Sequence, residues 1–136
     1  MRGVLDTNVV VSGIFFGGIP RVVLEAWSEG GFELWLSPPI FDEYLRVCDR
    51  LAVSHPGIEY RGLLAILLGH GSLAADPTRT QPITADLDDD KFMLFARQNG
   101  AIVVSGDKHL LDSSGWQDVH VIRPRDFLTL LTDESS

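Results

Sequence analysis

The chain has only one cysteine, Cys48, among its 136 residues. One cysteine cannot form an internal disulfide or supply the thiolates of a structural zinc site. It stands in a helical stretch with no activating base evident nearby, so we expect a small buried apolar side chain and not a nucleophile. The fold must then depend on an ordinary hydrophobic core, and this length predicts a single domain.

Long apolar runs are also missing. No segment reaches the roughly 18 uninterrupted apolar residues that a membrane-spanning helix needs. The apolar stretch at residues 1–9 is interrupted by Asp6 and Asn8, which argues against a secretory signal. The expected location is therefore the cytoplasm.

Basic residues are scarce. The chain has 11 Lys and Arg residues against 19 Asp and Glu residues, and its formal net charge is −8. Nucleic-acid-binding proteins usually carry a basic surface, so this balance taken alone argues against an RNA or DNA partner. The distribution of the acids matters more than their sum, because cations bound to a cluster of acids would reverse the local field.

Short apolar segments alternate with amphipathic segments along the whole chain. This order predicts βαβ units and an α/β fold with a mostly parallel sheet that helices cover on both faces. Ser37 is predicted to cap the helix that follows it. Residues 1–136 form one predicted domain, with a frayed tail from about residue 132. The predicted strands are 4–5, 33–36, 72–75, 101–104 and 119–122, and the predicted helices are 21–29, 40–51, 58–68, 88–99, 109–111 and 125–131, with a loop at 76–84.

Two acids follow predicted strands closely. Asp6 comes directly after Val4-Leu5, and Asp107 comes shortly after the strand at 101–104. Ligands of open parallel sheets bind outside the carboxyl ends of the strands. If the first and fourth strands are neighbours in the sheet, Asp6 and Asp107 share one crevice.

Two further acids are predicted on the inner faces of helices. Glu43 shares a helix face with apolar residues, so it is expected to point toward the sheet. Asp89 precedes Phe92 by three positions, which places it above the apolar stripe at the start of its helix. Its neighbours Asp88 and Asp90 are expected to point further outward.

Each acid also has an ordinary structural interpretation. Asp6 could cap the following helix, and Asp107 could be a turn residue after Gly106. The acids at 88–90 could favour a helix dipole, and Glu43 could be a solvated helical acid. Together, however, the four would repel one another unless they were protonated or bound to cations. Their arrangement therefore favours a site for a hard divalent cation, which prefers oxygen ligands.

Five motifs in a fixed order connect the chain to a known family. They are Leu5-Asp6-Thr7-Asn8, Leu36-Ser37-Pro38 with Glu43 downstream, Asp88-Asp89-Asp90-Lys91-Phe92, Val104-Ser105-Gly106-Asp107 and Arg123-Pro124-Arg125-Asp126-Phe127. With these motifs the chain resembles the PIN-domain nucleases, and within them the toxins of toxin–antitoxin pairs. The resemblance extends over essentially the whole chain.

The resemblance implies a Rossmann-like α/β/α sandwich and Mg²⁺- or Mn²⁺-dependent cleavage of single-stranded RNA. The four acids of the family correspond to Asp6, Glu43, Asp89 and Asp107. Asp88 and Asp90 remain open as substitutes for Asp89, and the small polar residue after the first acid corresponds to Thr7 or Asn8. An antitoxin protein is the partner that the resemblance implies, and a homodimer stays open.

The reaction that follows from this assignment is hydrolysis of a phosphodiester by metal-activated water. Asp6, Asp89 and Asp107 are the predicted metal ligands. Glu43 would complete the cluster or position the water. Asn8 would form a hydrogen bond with a ligand carboxylate or with the phosphate.

Three cations are candidates for contacts with the RNA backbone. Arg46 and Arg50 lie three and seven residues past Glu43, on nearly the same helix face, and Lys108 adjoins Asp107. A solvated face or pairing within the helix is the competing interpretation.

Two other functions remain open from the sequence. A phosphoryl-transfer enzyme could use Asp6 as an aspartyl nucleophile, although most such enzymes need a second acid two residues later, where this chain has Asn8. A non-catalytic module could bind an antitoxin or another protein. Metal-dependent RNA cleavage that is lost in Asp6→Asn would separate the ribonuclease from both.

Overall fold

The computed structural model of the chain describes residues 1–77 and 90–135. In these ranges the strands are Arg2–Leu5 (β1), Glu33–Leu36 (β2), Ser72–Leu73 (β3), Ile102–Val104 (β4) and Val121–Ile122 (β5). The α-helices are Thr7–Phe15 (α1), Gly18–Ser28 (α2), Pro38–Ser54 (α3), Arg61–His70 (α4), Asp90–Asn99 (α5), Lys108–Asp112 (α6) and Pro124–Ser135 (α7). The fold is the predicted parallel sheet with flanking helices, in an α/β/α arrangement.

The strands pair in parallel in the order β3-β2-β1-β4-β5. The predicted pairing of the first and fourth strands is confirmed, since Leu5 of β1 lies opposite Val104 of β4. The backbone N–H of Asp6 extends this pairing by donating to the carbonyl of Val104 at 3.0 Å. The residues after β1 and after β4 therefore leave the sheet side by side at its carboxyl edge.

The core explains why the central strands are so apolar. Val4 and Leu5 of β1 and Val103 and Val104 of β4 are fully buried, as expected for parallel strands that are covered on both faces. Helix α5 packs against both strands, with Phe92, Met93 and Phe95 completely enclosed. This packing fixes the start of α5 relative to the carboxyl ends of β1 and β4.

Element boundaries differ from prediction at several ends. Ser37 caps α3 as predicted, with Oγ accepting from the N–H of Ile40 at 3.4 Å. Helix α2 begins at Gly18, ahead of the predicted residue 21, because a proline at position 20 is tolerated within a first turn. Helix α7 continues to Ser135, beyond its predicted end at residue 131. The predicted loop at 76–84 and the predicted helix start at residue 88 fall largely or wholly outside the described residues.

Within residues 1–77 and 90–135, no single helix is long and apolar enough to cross a membrane; α1 and α2 pass that test only as a pair, with a bend of 98° between them.

Candidate functional site

Asp6 is a buried acid at the centre of the carboxyl edge. It follows β1 directly and is only 4% exposed. Although it occupies the position before α1, its side chain makes no capping hydrogen bond. Its Oδ2 instead accepts a hydrogen bond of 2.7 Å from the hydroxyl of Ser105, which follows β4. The interpretation of Asp6 as a helix cap is therefore wrong, since its carboxylate is directed toward the neighbouring strand.

Ser105 connects Asp6 to Asp107. The Ser105 side chain is fully buried, and its Oγ accepts a hydrogen bond of 2.9 Å from the backbone N–H of Asp107. Asp107 then caps α6, because its Oδ2 accepts from the N–H of Leu110 at 3.1 Å. Asp107 is thus a helix cap and not merely a turn residue, and one hydroxyl links its backbone to the Asp6 carboxylate.

Glu43 reaches the same edge from α3. Its Oε2 accepts a hydrogen bond from the hydroxyl of Thr7, the first residue of α1. Its Oε1 lies 2.6 Å from Nζ of Lys91 and 3.7 Å from a guanidinium nitrogen of Arg46. The Glu43 side chain is only 14% exposed, so the alternative of a solvated helical acid is wrong. We refer to Asp6, Glu43 and Asp107 as the acid cluster.

The acids at 88–90 give a different result from the prediction. Asp88 and Asp89 lie outside the described residues, so the proposed role of Asp89 stays a prediction. Asp90 is fully buried at the first residue of α5, and the expectation that it points outward is wrong. The buried face of α5 includes Met93 as well as Phe92, and Asp90 shares that face because it precedes Met93 by three positions.

The remaining predicted site residues lie at or near the acid cluster and are more exposed to solvent. Asn8 is exposed on the first turn of α1. Arg46 is largely exposed beside Glu43, and Arg50 is exposed further along α3. Lys108 forms an ion pair with Asp112 one turn along α6, at 2.7 Å. The hydrogen bond that Lys108 donates to Asp112 raises the pKa of Lys108, so this cation already has an intrahelical partner.

Sequence reasoning gave no role to Ser105 or Lys91. Both stand inside motifs that we quoted, but their partners are 99 and 48 positions away along the chain. Helical or strand spacing cannot reveal contacts at such separations. Only the pairing of β1 with β4 and the packing of α5 near α3 bring these residues to the acids.

Burial is the largest influence on the pKa of Asp6. Burial raises the pKa of Asp6, and the charges of Asp107 and Glu43 raise it further, against hydrogen bonds from Ser105 and from the backbone of Thr7. The hydroxyl of Tyr44 donates a hydrogen bond to the carbonyl of Leu5, the residue before Asp6. Cys48 is buried as predicted, and burial raises the pKa of its thiol to about 11.

These residues have the donor chemistry of a hard divalent cation site. Carboxylate oxygens are preferred ligands of such ions. A bound cation also stabilises the charged form of a buried acid that neighbouring acids destabilise. Within residues 1–77 and 90–135, however, no three acidic, histidine or cysteine side chains form a complete metal-binding group. The described part of the chain therefore offers Asp6 and Asp107 as the start of a ligand set that a further acid must complete.

We expect Asp6→Asn to stabilise the metal-free protein increasingly as the pH rises above 3.8. The folded-state pKa of Asp6 is raised, so the folded chain binds this proton more tightly than the unfolded chain, and stability falls as the pH rises through the window from 3.8 up to the folded-state pKa. Urea unfolding with chelator present, at several pH values, measures the difference. Asp112→Asn is the control with the opposite sign, because Lys108 lowers the pKa of Asp112. A pH-independent difference between Asp6→Asn and the parent would contradict the expectation.

Comparison with known proteins agrees with this geometry. The family model described as a PIN domain matches residues 2–109. An uncharacterized protein of Methanocaldococcus jannaschii is 32% identical over 115 residues, which cover 82% of this chain and 74% of that protein. PIN domains are generally nucleases and typically use divalent metal ions. With a match over most of its length, and with acids at the carboxyl ends of adjacent parallel strands, this chain belongs to the PIN-domain family.

Proposed function

We propose that this chain is a metal-dependent endoribonuclease that hydrolyses phosphodiester bonds of single-stranded RNA. The observation that carries the proposal is the junction of Asp6 and Asp107 through Ser105 at the ends of β1 and β4, with Glu43 beside them. Asp6 and Asp107, with Asp89 or a neighbouring acid, would hold Mg²⁺ or Mn²⁺. Asp90 stays open as a substitute for Asp89, although the described residues do not bring it together with Asp6 and Asp107 as one metal-binding group.

The chain's own residues prepare this site for a phosphodiester. Ser105 fixes the Asp6 carboxylate against the backbone that carries Asp107, and Thr7 fixes one oxygen of Glu43. When bound, a divalent cation supplies charge to polarise the phosphoryl oxygen and lowers the pKa of its water. Glu43 would complete the cluster or orient that water, and Asn8, which is exposed next to Thr7, would contact a ligand carboxylate or the phosphate.

The direct test is cleavage of a single-stranded RNA labelled at one end. We expect internal cuts with Mg²⁺ or Mn²⁺ and no cuts with chelator. Cleavage assays on the same sequence as duplex RNA and as single-stranded DNA define the substrate class. Failure to cut any nucleic acid with either metal, by folded protein that binds the metal, would favour the non-catalytic module.

An aspartyl nucleophile at Asp6 has less support. The Asp6 carboxylate is buried, one of its oxygens is bonded to Ser105, and the residue two positions later is Asn8. A phosphoryl-transfer enzyme of that kind would form a covalent phosphoprotein. The absence of labelled phosphate on the chain after turnover, together with RNA cleavage, would exclude it.

The role as a toxin of a toxin–antitoxin pair is part of the proposal. A short reading frame with a DNA-binding pattern directly upstream of the gene would support it. We propose an antitoxin and a second copy of the chain as protein partners. We place the protein in the cytoplasm, where RNA is available. The exposed apolar side chains Leu63, Ile66 and Leu68 of α4 are the surface to test for either protein partner.

Metal should stabilise the folded protein. An ion that binds only the folded state raises stability by an amount set by its concentration over its Kd, about 2.7 kcal/mol at 100 times the Kd. We expect millimolar Mg²⁺ or Mn²⁺ to raise the Tm, and Asp6→Asn to reduce that rise. Asp112→Asn, which removes an acid paired with Lys108 on α6, should keep the full rise. A Tm of the parent that does not respond to either metal would count against a competent site.

RNA affinity must come from local contacts, because the chain is acidic. The formal net charge of −8 includes the four proposed site acids, and about −4 would remain without them. We expect Arg46→Ala with Arg50→Ala to weaken RNA binding and to flatten its salt dependence, by a slope of roughly 0.7 for each lost phosphate contact. Binding is measured across salt concentrations with Ca²⁺ in place of Mg²⁺, to prevent turnover.

The matched control is Arg2→Ala with Arg97→Ala. This pair removes the same charge, but Arg2 begins β1 at the opposite edge of the sheet, where its guanidinium donates to the carbonyl of Asn99. Arg97 lies in the last turn of α5. This double variant should change RNA affinity less than the α3 pair does. If the two double variants bind RNA equally at every salt concentration, the exposed face of α3 does not carry the RNA.

A further inference from the structure

Lys91 is a cation inside the proposed metal site. It is the second residue of α5, and its Nζ lies 2.6 Å from Oε1 of Glu43 on α3. The side chains are 19% and 14% exposed, so this pair is largely shielded from solvent. The ammonium also lies 5.2 Å from the centre of the buried Phe92 ring, a favourable cation–π distance. Lys91 is thus anchored by both an acid and an aromatic ring.

Both carboxylate oxygens of Glu43 already have partners. Oε1 accepts from Lys91, with Arg46 more distant, and Oε2 accepts from Thr7. A divalent ion that used Glu43 as a ligand would have to displace Lys91 or share its oxygen with it. Separating a shielded ion pair is strongly unfavourable, and the released ammonium would then repel the arriving ion.

The other two acids of the cluster are engaged differently. The carboxylate of Asp6 accepts a hydrogen bond from the neutral hydroxyl of Ser105, and the carboxylate of Asp107 accepts one from the backbone N–H of Leu110. Neither donor is charged, and within residues 1–77 and 90–135 the ion pairs of the cluster are at Glu43 and not at Asp6 or Asp107. The attraction for a divalent ion is therefore concentrated on the Asp6 and Asp107 side of the cluster and is weakest at Glu43.

We propose that Lys91 is a built-in cation of the acid cluster, which keeps Glu43 paired within the protein and restricts the site to one divalent ion on the Asp6 and Asp107 side. This inference rests on the proposed metal-dependent function and deepens it. In a two-ion site, two cations share the charge of the transferring phosphate; here Lys91 would supply a positive charge beside Glu43 instead of a second ion. It acts through Glu43 and is a positioning residue.

Calorimetric titration of the full chain with MnCl₂, without RNA, tests the proposal. The parent should bind one ion. Lys91→Met should bind Mn²⁺ at least about tenfold more tightly, or bind a second ion, because a positive charge beside the site has been removed. Lys91→Arg should behave as the parent. If Lys91 had only a structural role, Lys91→Met would weaken metal binding, because Glu43 would then be misplaced.

Arg61→Met is the control. It makes the same change of charge, but Arg61 lies on α4 in an exposed ion pair with Asp49, so solvent screens its effect. It should leave Mn²⁺ affinity close to that of the parent. A similar gain in Lys91→Met and Arg61→Met would show a general charge effect and overturn the proposal.

The double variant Glu43→Gln with Lys91→Met keeps the formal net charge and tests the pair even if Lys91→Met alone does not fold. It should bind one Mn²⁺ with nearly the affinity of the parent. A loss of tenfold or more would show that Glu43 is a metal ligand and would overturn the proposal. So would a parent that binds two ions or none, or an unchanged or weakened affinity in folded Lys91→Met. Mn²⁺ binding as described without any RNA cleavage would instead remove the ribonuclease assignment and leave Lys91 in its role.

Discussion

Asp6→Asn is expected to reduce metal-dependent RNA cleavage at least about 100-fold. Loss of residues that only support metal ligands typically costs 10–100-fold in affinity or activity, so loss of a direct ligand should cost no less. The substitution is nearly isosteric and keeps an oxygen that can accept the Ser105 hydroxyl. The folded structure should therefore survive, and the loss should reflect the missing charge.

Initial cleavage rates at saturating RNA and several Mn²⁺ concentrations measure this effect. Asp112→Asn serves as the control, because it removes one acid from an exposed ion pair on α6 and should cleave RNA at the parent rate. Thermal unfolding of each variant shows whether it is folded. If folded Asp6→Asn cleaves within a few-fold of the parent, the acid cluster is not the active site.

Ser105→Ala is expected to lower Mn²⁺ affinity by about 10–100-fold, the range found for residues that orient metal ligands. The Ser105 hydroxyl donates to Asp6 and accepts from the N–H of Asp107, so its removal breaks the connection between the two acids. The pKa of Asp6 should also rise further, because this hydrogen bond is the main influence that lowers it. A carboxyl group that holds its proton more tightly binds metal more weakly at a given pH.

The measurement is a Mn²⁺ titration followed by cleavage at rising Mn²⁺ concentration. A positioning role predicts that high Mn²⁺ restores most of the cleavage rate, whereas loss of structure would not be restored. Ser28→Ala removes a hydroxyl that donates only to the carbonyl of Glu25 on an exposed helix end, and it should bind Mn²⁺ as the parent does. Equal Mn²⁺ affinity in Ser105→Ala and the parent would remove Ser105 from the site.

The two expectations separate charge from geometry at the same point of the fold. Asp6→Asn removes a charge that burial already makes unfavourable, so it should cost activity while it stabilises the metal-free chain. Ser105→Ala keeps that charge but removes the hydrogen bond that holds the Asp6 carboxylate in position. A site that depends on metal should respond to both substitutions, and the response of Ser105→Ala alone should be relieved by more metal.

The fold class was readable from the order of apolar segments. Strands such as β4 are short, apolar and followed by helical segments, which is the pattern of buried parallel strands. The positions of Asp6 and Asp107 just after strands also placed them at one edge, because all strands of a parallel sheet end on the same side. The cap at Ser37 was predicted because capping depends on a residue and its third neighbour, which is a local interaction.

The side of a helix on which a residue lies, and its contacts with residues far along the chain, were harder to predict from the sequence. The prediction that Asp90 points outward failed because a helical wheel phased on Phe92 and Ala96 leaves out Met93, which is also buried. The contact of Lys91 with Glu43 depends on where α5 begins relative to α3. No periodicity in the sequence specifies that distance.

The sequence by itself determined the parallel α/β architecture, the buried Cys48 and the edge at which the acids gather, since these follow from local hydrophobic pattern and strand direction. Only the tertiary structure decided which groups the acids contact: Ser105 for Asp6, and Thr7 and Lys91 for Glu43. The physical reason is range. A side chain selects its helix or strand through neighbours a few positions away, but its charge is stabilised by whichever atoms lie within hydrogen-bonding distance. In this fold those atoms come from residues up to 99 positions away along the chain.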